Sequence, residues 1–408
     1  MKNKTLSVAT IILTLGFGVD AQTVRPKPAG AARSAADRRI IQDGPAQALP
    51  LAGGTFVDPA FGTTIMRVTD EKDGQSCTNF YSYWPSFNLD STMFFIACDG
   101  SAKLYRFDPN AFRVVGKSTL FEDRSPDGPL SFEDSIWSGA NPNLLYGYTG
   151  LKLYSYDVSA KKYSMIRDFS AELPEGFLGQ MSKSIDDNVF EFTRKDKNYK
   201  PLGYVVWRRD NNKILRSETI GDFDEAQLDK SGRYLVVKAK FPRSADVQVV
   251  DLQTGSAENL TDPAPDFSPG HSDNGRQLIV GHDNWNNQYT VRKLATPHVF
   301  KTVIGFGNDW SQANHVSMLA DNEEWCVISN YTVGNGPAGP FRNEIFMAST
   351  DGSQRVRRLA HHHSMYRDYW DTPRADISRD GRFIMFTSNW GSTSRRDVFI
   401  IKVPTVTP

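Results

Sequence analysis

Cysteine and histidine are scarce in this sequence, and apolar residues at helical spacing are nearly absent. Three cysteines leave one odd after any pairing. All seven histidines lie after residue 270, so imidazole chemistry is confined to the last third of the chain. Neither charge dominates: 47 basic residues balance 47 acidic ones, which argues against a nucleic-acid partner and for a neutral or locally complementary one. No G-x-S-x-G elbow and no phosphate loop occurs, which removes two common reaction classes. "GNGPAGPF" (334–341) reads as a hairpin insertion, because it lacks the lysine and the following helix of a phosphate cradle. The one long apolar run, Leu6 to Val19, is too short to span a bilayer comfortably.

That run follows Lys2 and Lys4 and leads to Ala21, the pattern of a secretory signal cleaved after Ala21. A periplasmic or secreted protein with no transmembrane segment after cleavage is expected. Residues 22–50 ("TVRPKPAGAARSAADRR" and onward) lack apolar periodicity and read as a flexible linker. In an oxidising compartment Cys77 and Cys98, which flank one strand pair, can close a loop of about 20 residues. Cys326, inside "EEWCVIS", reads as an inert core thiol.

The chain repeats itself. A few small or polar residues, a turn rich in Asp, Asn and Gly, and a β-branched or aromatic run recur seven times. The copies include "WPSFNLDSTMFFIAC" (84–98), "EAQLDKSGRYLVVKA" (225–239), "HVSMLADNEEWCVISNY" (315–331) and "RADISRDGRFIMFTSNW" (374–390). Most are followed by a second alternating run, such as "KLYRFD" (103–108) or "DVFIIKV" (397–403). Alternation with turn residues between runs indicates antiparallel strands. The predicted fold is all-β, a seven-bladed β-propeller over residues 51–408. The last copy supplies only three strands, and "GTTIMRVTD" (62–70) is an orphan ahead of the first. It is expected to close the ring as the outer strand of the last blade, so that no edge stays open.

Strand direction alternates within a blade, so the starts of innermost strands, the ends of second strands and the connections between blades gather on one face, here called the top. Aligned on their turns, the copies place Trp84, Glu225, His315 and Arg374 at one channel-facing position, with Asp134 and Gln180 the nearest equivalents in blades two and three. Ser268 takes the position in blade five, with His271 three residues on. Second-strand ends add His282-Asp283-Asn284-Trp285, Ser329-Asn330-Tyr331 and Ser388-Asn389-Trp390, an amide and an aromatic at one rim. His361, His362 and His363 join that rim from the connection between blades six and seven.

Each candidate has two readings. His361 and His363 can hold a divalent metal (Mn, Zn or Ca) with His315, or they decorate a connection. Arg374, near Tyr366, Tyr369 and Trp370, can grip a carboxylate bidentately, or it pairs with Asp376 or Asp371. Trp84, Trp285 and Trp390 suit stacking on sugar faces, or they fill the channel. Asp134 and Glu225 can serve as acid and base across the channel.

The turn template "DISRDGRFIMFTSNW", with its relative "LDKSGRYLVV", resembles the TolB-type repeat of periplasmic propellers, a likeness that covers all seven blades. Within that class the late-blade histidines resemble those of the oligogalacturonate lyase family. The resemblance implies a propeller with a divalent metal held mainly by histidines and a base for β-elimination of uronates, and it puts His315 where a metal-ligand histidine is expected. Where that family carries an H-x-H arrangement in the last blade, this chain has Thr372 and Arg374, so the remaining ligands would have to be His361 or His363. Two functions follow as expectations. One is a lyase acting on uronate-containing oligosaccharides or polysaccharides. In it Arg374 neutralises the carboxylate, and His315 or Tyr369 takes the proton. Trp84, Asp134, Gln180, Glu225, His271, Trp285, Asn330, Asn389 and Trp390 hold the sugars. The other is a propeller that binds a glycan or protein without chemistry.

Overall fold

The computed structural model describes residues 37–405 apart from 122–123, 174, 243–244, 261–264, 267–270, 335–338 and 392–393. The expected leader, residues 22–36 of the linker and Ser268 lie outside the described residues.

Seven antiparallel sheets form a ring, each running outward from the channel. Blade one holds Cys77–Thr78, Met93–Cys98, Ser101–Asp108 and Arg113–Thr119. Blade two holds Ile136–Trp137, Leu144–Thr149, Lys152–Asp157 and Lys162–Asp168. Blade three holds Phe177–Lys183, Val189–Lys195, Pro201–Arg208 and Lys213–Thr219. Blade four holds Glu225–Leu228, Tyr234–Lys238, Val247–Asp251 and Ala257–Leu260. Blade five has a divided inner strand, Pro265–Asp266 and Ser272–Asn274, then Leu278–Asp283, Gln288–Lys293 and Phe300–Gly305. Blade six holds Gln312–Ser317, Trp325–Thr332, Glu344–Ser349 and Val356–His361. Blade seven holds Asp376–Ile377, Phe383–Ser388 and Asp397–Lys402. No α-helix occurs among the described residues, and none there is long and apolar enough to cross a membrane.

The N-terminal strand Thr64–Arg67 pairs antiparallel with Asp397–Lys402, from Thr64↔Lys402 to Arg67↔Phe399. A further strand, Thr55–Val57, lies outside it. Residues 37–50 run over blades five to seven: Arg38 donates to the Gly305 carbonyl (2.7 Å), Arg358 to that of Arg39 (2.7 Å), and Trp390 to that of Gln47 (2.8 Å). Such anchors are polar and irregular, which is why apolar periodicity gave no sign of them.

The recurring turn aspartate has a clear task. Asp229 accepts from the Ser231, Arg233 and Tyr234 amides and from the Gln277 amide of the next blade (2.8 Å), so one carboxylate ties a turn and a blade junction together. Gly232 follows at φ +70°, and a Cβ there would meet that of Ser184 at 2.8 Å. Between the blades the second and third strands are buried on both faces, which is why their apolar runs are nearly continuous. Between blades seven and one, Phe383 packs edge-on to Phe107 (5.1 Å) and parallel to Phe112 (5.8 Å).

Cys77 lies opposite Cys98 in the ladder of blade one and is disulfide-bonded to it, while Cys326 is a free, buried thiol. Replacing both bonded cysteines with serine is expected to lower the unfolding free energy by about 3 kcal/mol, from the lost loop constraint. A denaturant midpoint equal to that of the wild type would contradict this.

The junction of blades seven and one also titrates. Buried Asp376 accepts from the Ser86 hydroxyl (2.7 Å) and from Asn79 Nδ2 (3.3 Å), and burial pushes its carboxyl up to about 7. An unfolded aspartate has a pKa of about 3.9. The folded state therefore holds the extra proton between about pH 4 and 7, and this contribution is lost as pH rises through that window, by at most about 1.4 kcal/mol per pH unit. The melting temperature of Asp376→Asn should gain on the wild type as pH rises from 4 to 8. A gap independent of pH would exclude this role.

Candidate functional site

The innermost strand of blade one is short, and its shortness builds the head of the channel. After Thr78 the chain leaves the ladder and returns only at the Phe87–Phe94 bridge. Pro85 has no amide to donate, and the Trp84 amide turns back to the Tyr81 carbonyl (3.1 Å). Tyr81, Tyr83 and Trp84 thus sit on an excursion, not at the head of a regular strand as the alignment predicts. Tyr83 and Trp84 lie edge-on at 5.0 Å, and Tyr81 reaches Tyr369 at 5.7 Å.

Tyr369 belongs to the connection between blades six and seven. A 3-10 turn, Tyr369–Asp371, is capped by Asp368, which accepts from the Trp370 amide at 2.8 Å. Asp371 is gripped by Arg367 (3.0 Å) and Arg396 (2.9 Å), and Asn389 holds both polar groups of Met365. The segment ends at Arg374, a non-glycine residue at φ +42°, a conformation that costs free energy and is found disproportionately at functional sites. Its carbonyl accepts from Asn79 (2.7 Å), which pins the backbone.

Arg374 is fully buried, and none of its three guanidinium nitrogens has a hydrogen-bond partner. The expected structural pairings are not made: Asp376 is occupied by Ser86 and Asn79, and Asp371 by Arg367 and Arg396. Instead the guanidinium lies 4.9 Å from the centre of the Trp370 ring and 5.4 Å from that of Tyr369. Burial pulls its pKa below the usual value. An unpaired buried charge is expensive, and native proteins keep few of them.

His315, on the innermost strand of blade six, is likewise buried with both ring nitrogens unpartnered. It stacks on Tyr331 (5.3 Å), meets Tyr369 edge-on (6.2 Å) and lies 5.6 Å from His271. Burial, with His271 and Arg374 adding to it, holds its pKa well below the ordinary range, so it is neutral at pH 7 and free to accept a proton. The Tyr83 hydroxyl is also buried without a partner among the described residues, the Tyr369 hydroxyl faces Tyr81 and Arg374, and burial raises both phenols. His315, Tyr369 and Arg374 thus come together as expected from sequence.

The opposite side of the channel is acidic. Asp134 accepts from Ser131 and Tyr148, and burial raises its carboxyl. Glu225 is buried and acts on both Tyr81 and Tyr83. Beneath it lies Glu191, fully buried, accepting from Ser182 (2.7 Å) and pushed well up by burial and by Glu225. Gln180, at φ +28°, accepts from Thr193 at 3.5 Å. Sequence reasoning missed Tyr81, Tyr83 and Glu191. The one charge in "VFEFT" and the aromatics of "NFYSYWP" were the available signals.

Several expected members are elsewhere. Trp390 is core: it packs on Phe399 (5.0 Å) and His363 (4.6 Å), and its indole N–H is taken by Gln47. Trp84 lies near the site, but its N–H donates to the Met181 carbonyl (3.3 Å). Asn330 and Asn389 are buried, Asn330 donating to Gln312 (3.2 Å). Trp285 is 62% exposed on the rim of blade five.

The expected metal trio is not assembled. His363 Nδ1 lies 2.8 Å from Asp43, and His361 packs on Phe61 (5.0 Å) beside Glu344. The middle ring is the one turned toward blade six. There His362 Nε2 bonds the Asn330 carbonyl (2.8 Å), and Nδ1 accepts from the Ser364 amide (2.9 Å). Consecutive residues at a strand end alternate in direction, so the two outer rings and the middle one had to part. No group of three or more metal-ligating side chains occurs among the described residues. The residues present around His315 therefore do not fit a resident divalent metal.

Comparison with family models gives no match, and comparison with curated proteins gives none. Solved structures do match. An oligogalacturonate lyase in complex with manganese superposes with a TM-score of 0.62 at 13% identity, covering 89% of this chain and 99% of that one. An oligogalacturonate lyase from Vibrio parahaemolyticus gives 0.61, also at 13% identity, over 88% and 99%. TolB from Acinetobacter baumannii gives 0.38 at 17% identity over 70% and 63%, too low to support an argument. At these identities the likeness establishes the fold, a seven-bladed propeller distantly similar to oligogalacturonate lyase.

Proposed function

We propose that the head of the channel binds the carboxylate of a uronate-containing glycan and cleaves the chain by β-elimination without a resident metal. The observation that carries this is Arg374, a fully buried guanidinium that meets no carboxylate among the described residues, its polar neighbours being the Tyr369 and Tyr81 hydroxyls. A carboxylate supplies the missing charge and two acceptors in matching geometry. With the carboxylate neutralised, the proton on the adjacent ring carbon becomes acidic. His315, neutral and unpartnered, takes it. The C–H electron pair becomes the new C4=C5 double bond, and the glycosidic oxygen leaves C4 with a proton from Tyr369. We further propose that the protein acts after export, in the periplasm or outside the cell, for which the Cys77–Cys98 disulfide is the supporting observation.

One observation favours capture without cleavage: burial holds His315 well below the ordinary imidazole range, which makes it a weak base. The two readings part in one experiment. Uronic-acid polymers incubated with purified protein should develop the ultraviolet absorbance of unsaturated ends. Binding with no such absorbance would leave the glycan-binding reading, and neither binding nor absorbance would reject both.

A further inference from the structure

The proposed site is a point, but the face around it is not. All five exposed tyrosines and tryptophans among the described residues lie on the top, Tyr199, Trp285, Trp310, Tyr366 and Trp370, while the less exposed Phe300 begins the outer strand of blade five at the other face. Exposed aromatics without a task would be scattered over both faces and the outer walls. A concentration of them beside a site marks a contact zone.

Blade three carries the most developed of these contacts. Its top hairpin reads "RKDKNYK" (194–200). Asp196 Oδ1 accepts from the Asn198 amide (2.8 Å) and the Lys200 amide (2.9 Å), and Tyr199 is held at φ +63°. The Tyr199 ring lies flat on Phe177, 4.5 Å away and tilted by 5°, while the residue remains 65% exposed. One face of the ring is thus supported and the other is turned to solvent. Lys197 and Lys200 flank it, both exposed and without an ion pair among the described residues. A rigid aromatic face between free ammonium groups suits the apolar face of a sugar ring whose neighbours carry negative charge.

Trp370 lies against Arg374 and Tyr366 stacks on Tyr331 (5.8 Å), both exposed on the far side of the channel from blade three. We infer that the ligand is a continuous acidic polysaccharide laid across the top, from the Tyr199 hairpin over the channel head to blades six and seven. Recognition then falls within a chain and not at its end. This rests on the uronate reading of Arg374.

The test measures affinity of the full-length protein for polygalacturonate and for digalacturonate, in the wild type, in Tyr199→Ala and in Lys197→Gln/Lys200→Gln. The wild type should prefer the polymer. Tyr199→Ala should weaken polymer binding about fivefold, and the lysine pair should weaken it about fivefold at low salt, with that difference gone at about 1 M salt. Both should leave digalacturonate affinity within about twofold. Three results would overturn the inference. If both variants bind polymer as the wild type does while Arg374→Ala binds neither ligand, the inference falls and the uronate reading stands. Equal losses for polymer and dimer would place the hairpin in the single-sugar site and reject a chain-spanning role. A wild type that binds neither ligand would remove the uronate reading, and the inference with it.

Discussion

Arg374→Met is expected to stabilise the protein while abolishing binding of acidic glycans. A buried charge with no partner opposes folding, and an apolar side chain of similar length removes that opposition. Replacements of buried charged groups by apolar ones have stabilised other proteins by about 1–4 kcal/mol. Here the three nitrogens of a fully buried side chain lack partners, so the melting temperature should rise. Binding should fall at least tenfold, from the loss of a charge-assisted pair of about 1.5–3 kcal/mol. A gain in stability coupled to a loss of function is what separates a site from a structural arginine. Thermal melting and a glycan titration of one sample check both halves, and a lower melting temperature would identify Arg374 as structural.

The second large effect concerns the N-terminus. Removing residues 1–70 should destabilise the protein far more than removing 1–50. The longer cut takes Ile65, Met66 and Val68, all essentially buried, and uncovers the edge of Asp397–Lys402. Three such side chains contribute about 1.5–3 kcal/mol each, so the loss is roughly 5–9 kcal/mol before the open edge is counted. The shorter cut removes the polar anchors at Arg38, Asp43 and Gln47, which lie largely at the surface. Urea unfolding of the two truncations should give widely separated midpoints, and coincident midpoints would contradict a closing role for the strand.

Much of this was readable from sequence because the repeat carries its own physics. Asp229 and Gly232 recur in kind because a carboxylate must collect the turn amides and a glycine must take a left-handed conformation. Aligning the copies on their turns put His315 and Arg374 at one channel-facing position, and Tyr369 joined them through its nearness to Arg374 in sequence. What was not readable depends on contacts far apart in sequence. Trp390 looks like a rim aromatic until Gln47 and Phe399 cover it. The fate of the histidine triplet is decided by Asp43, Glu344 and the Asn330 carbonyl, none adjacent to it in sequence. Tyr83 became visible only when the inner strand of blade one proved to be interrupted.

Burial pushes the Glu191 carboxyl well above the ordinary carboxyl range, which favours its neutral form and lowers the charge on the acidic side of the channel. An anionic sugar is therefore opposed less than a count of carboxylates would imply, and Arg374 supplies the attraction. The most direct measurement is a calorimetric titration of the wild type and of Arg374→Gln with polygalacturonate and with a neutral galactan. The account predicts that the wild type binds the acidic polymer and not the neutral one, and that Arg374→Gln abolishes the difference. Equal binding of both polymers by the wild type, or an unchanged preference in Arg374→Gln with its fold intact, would contradict it.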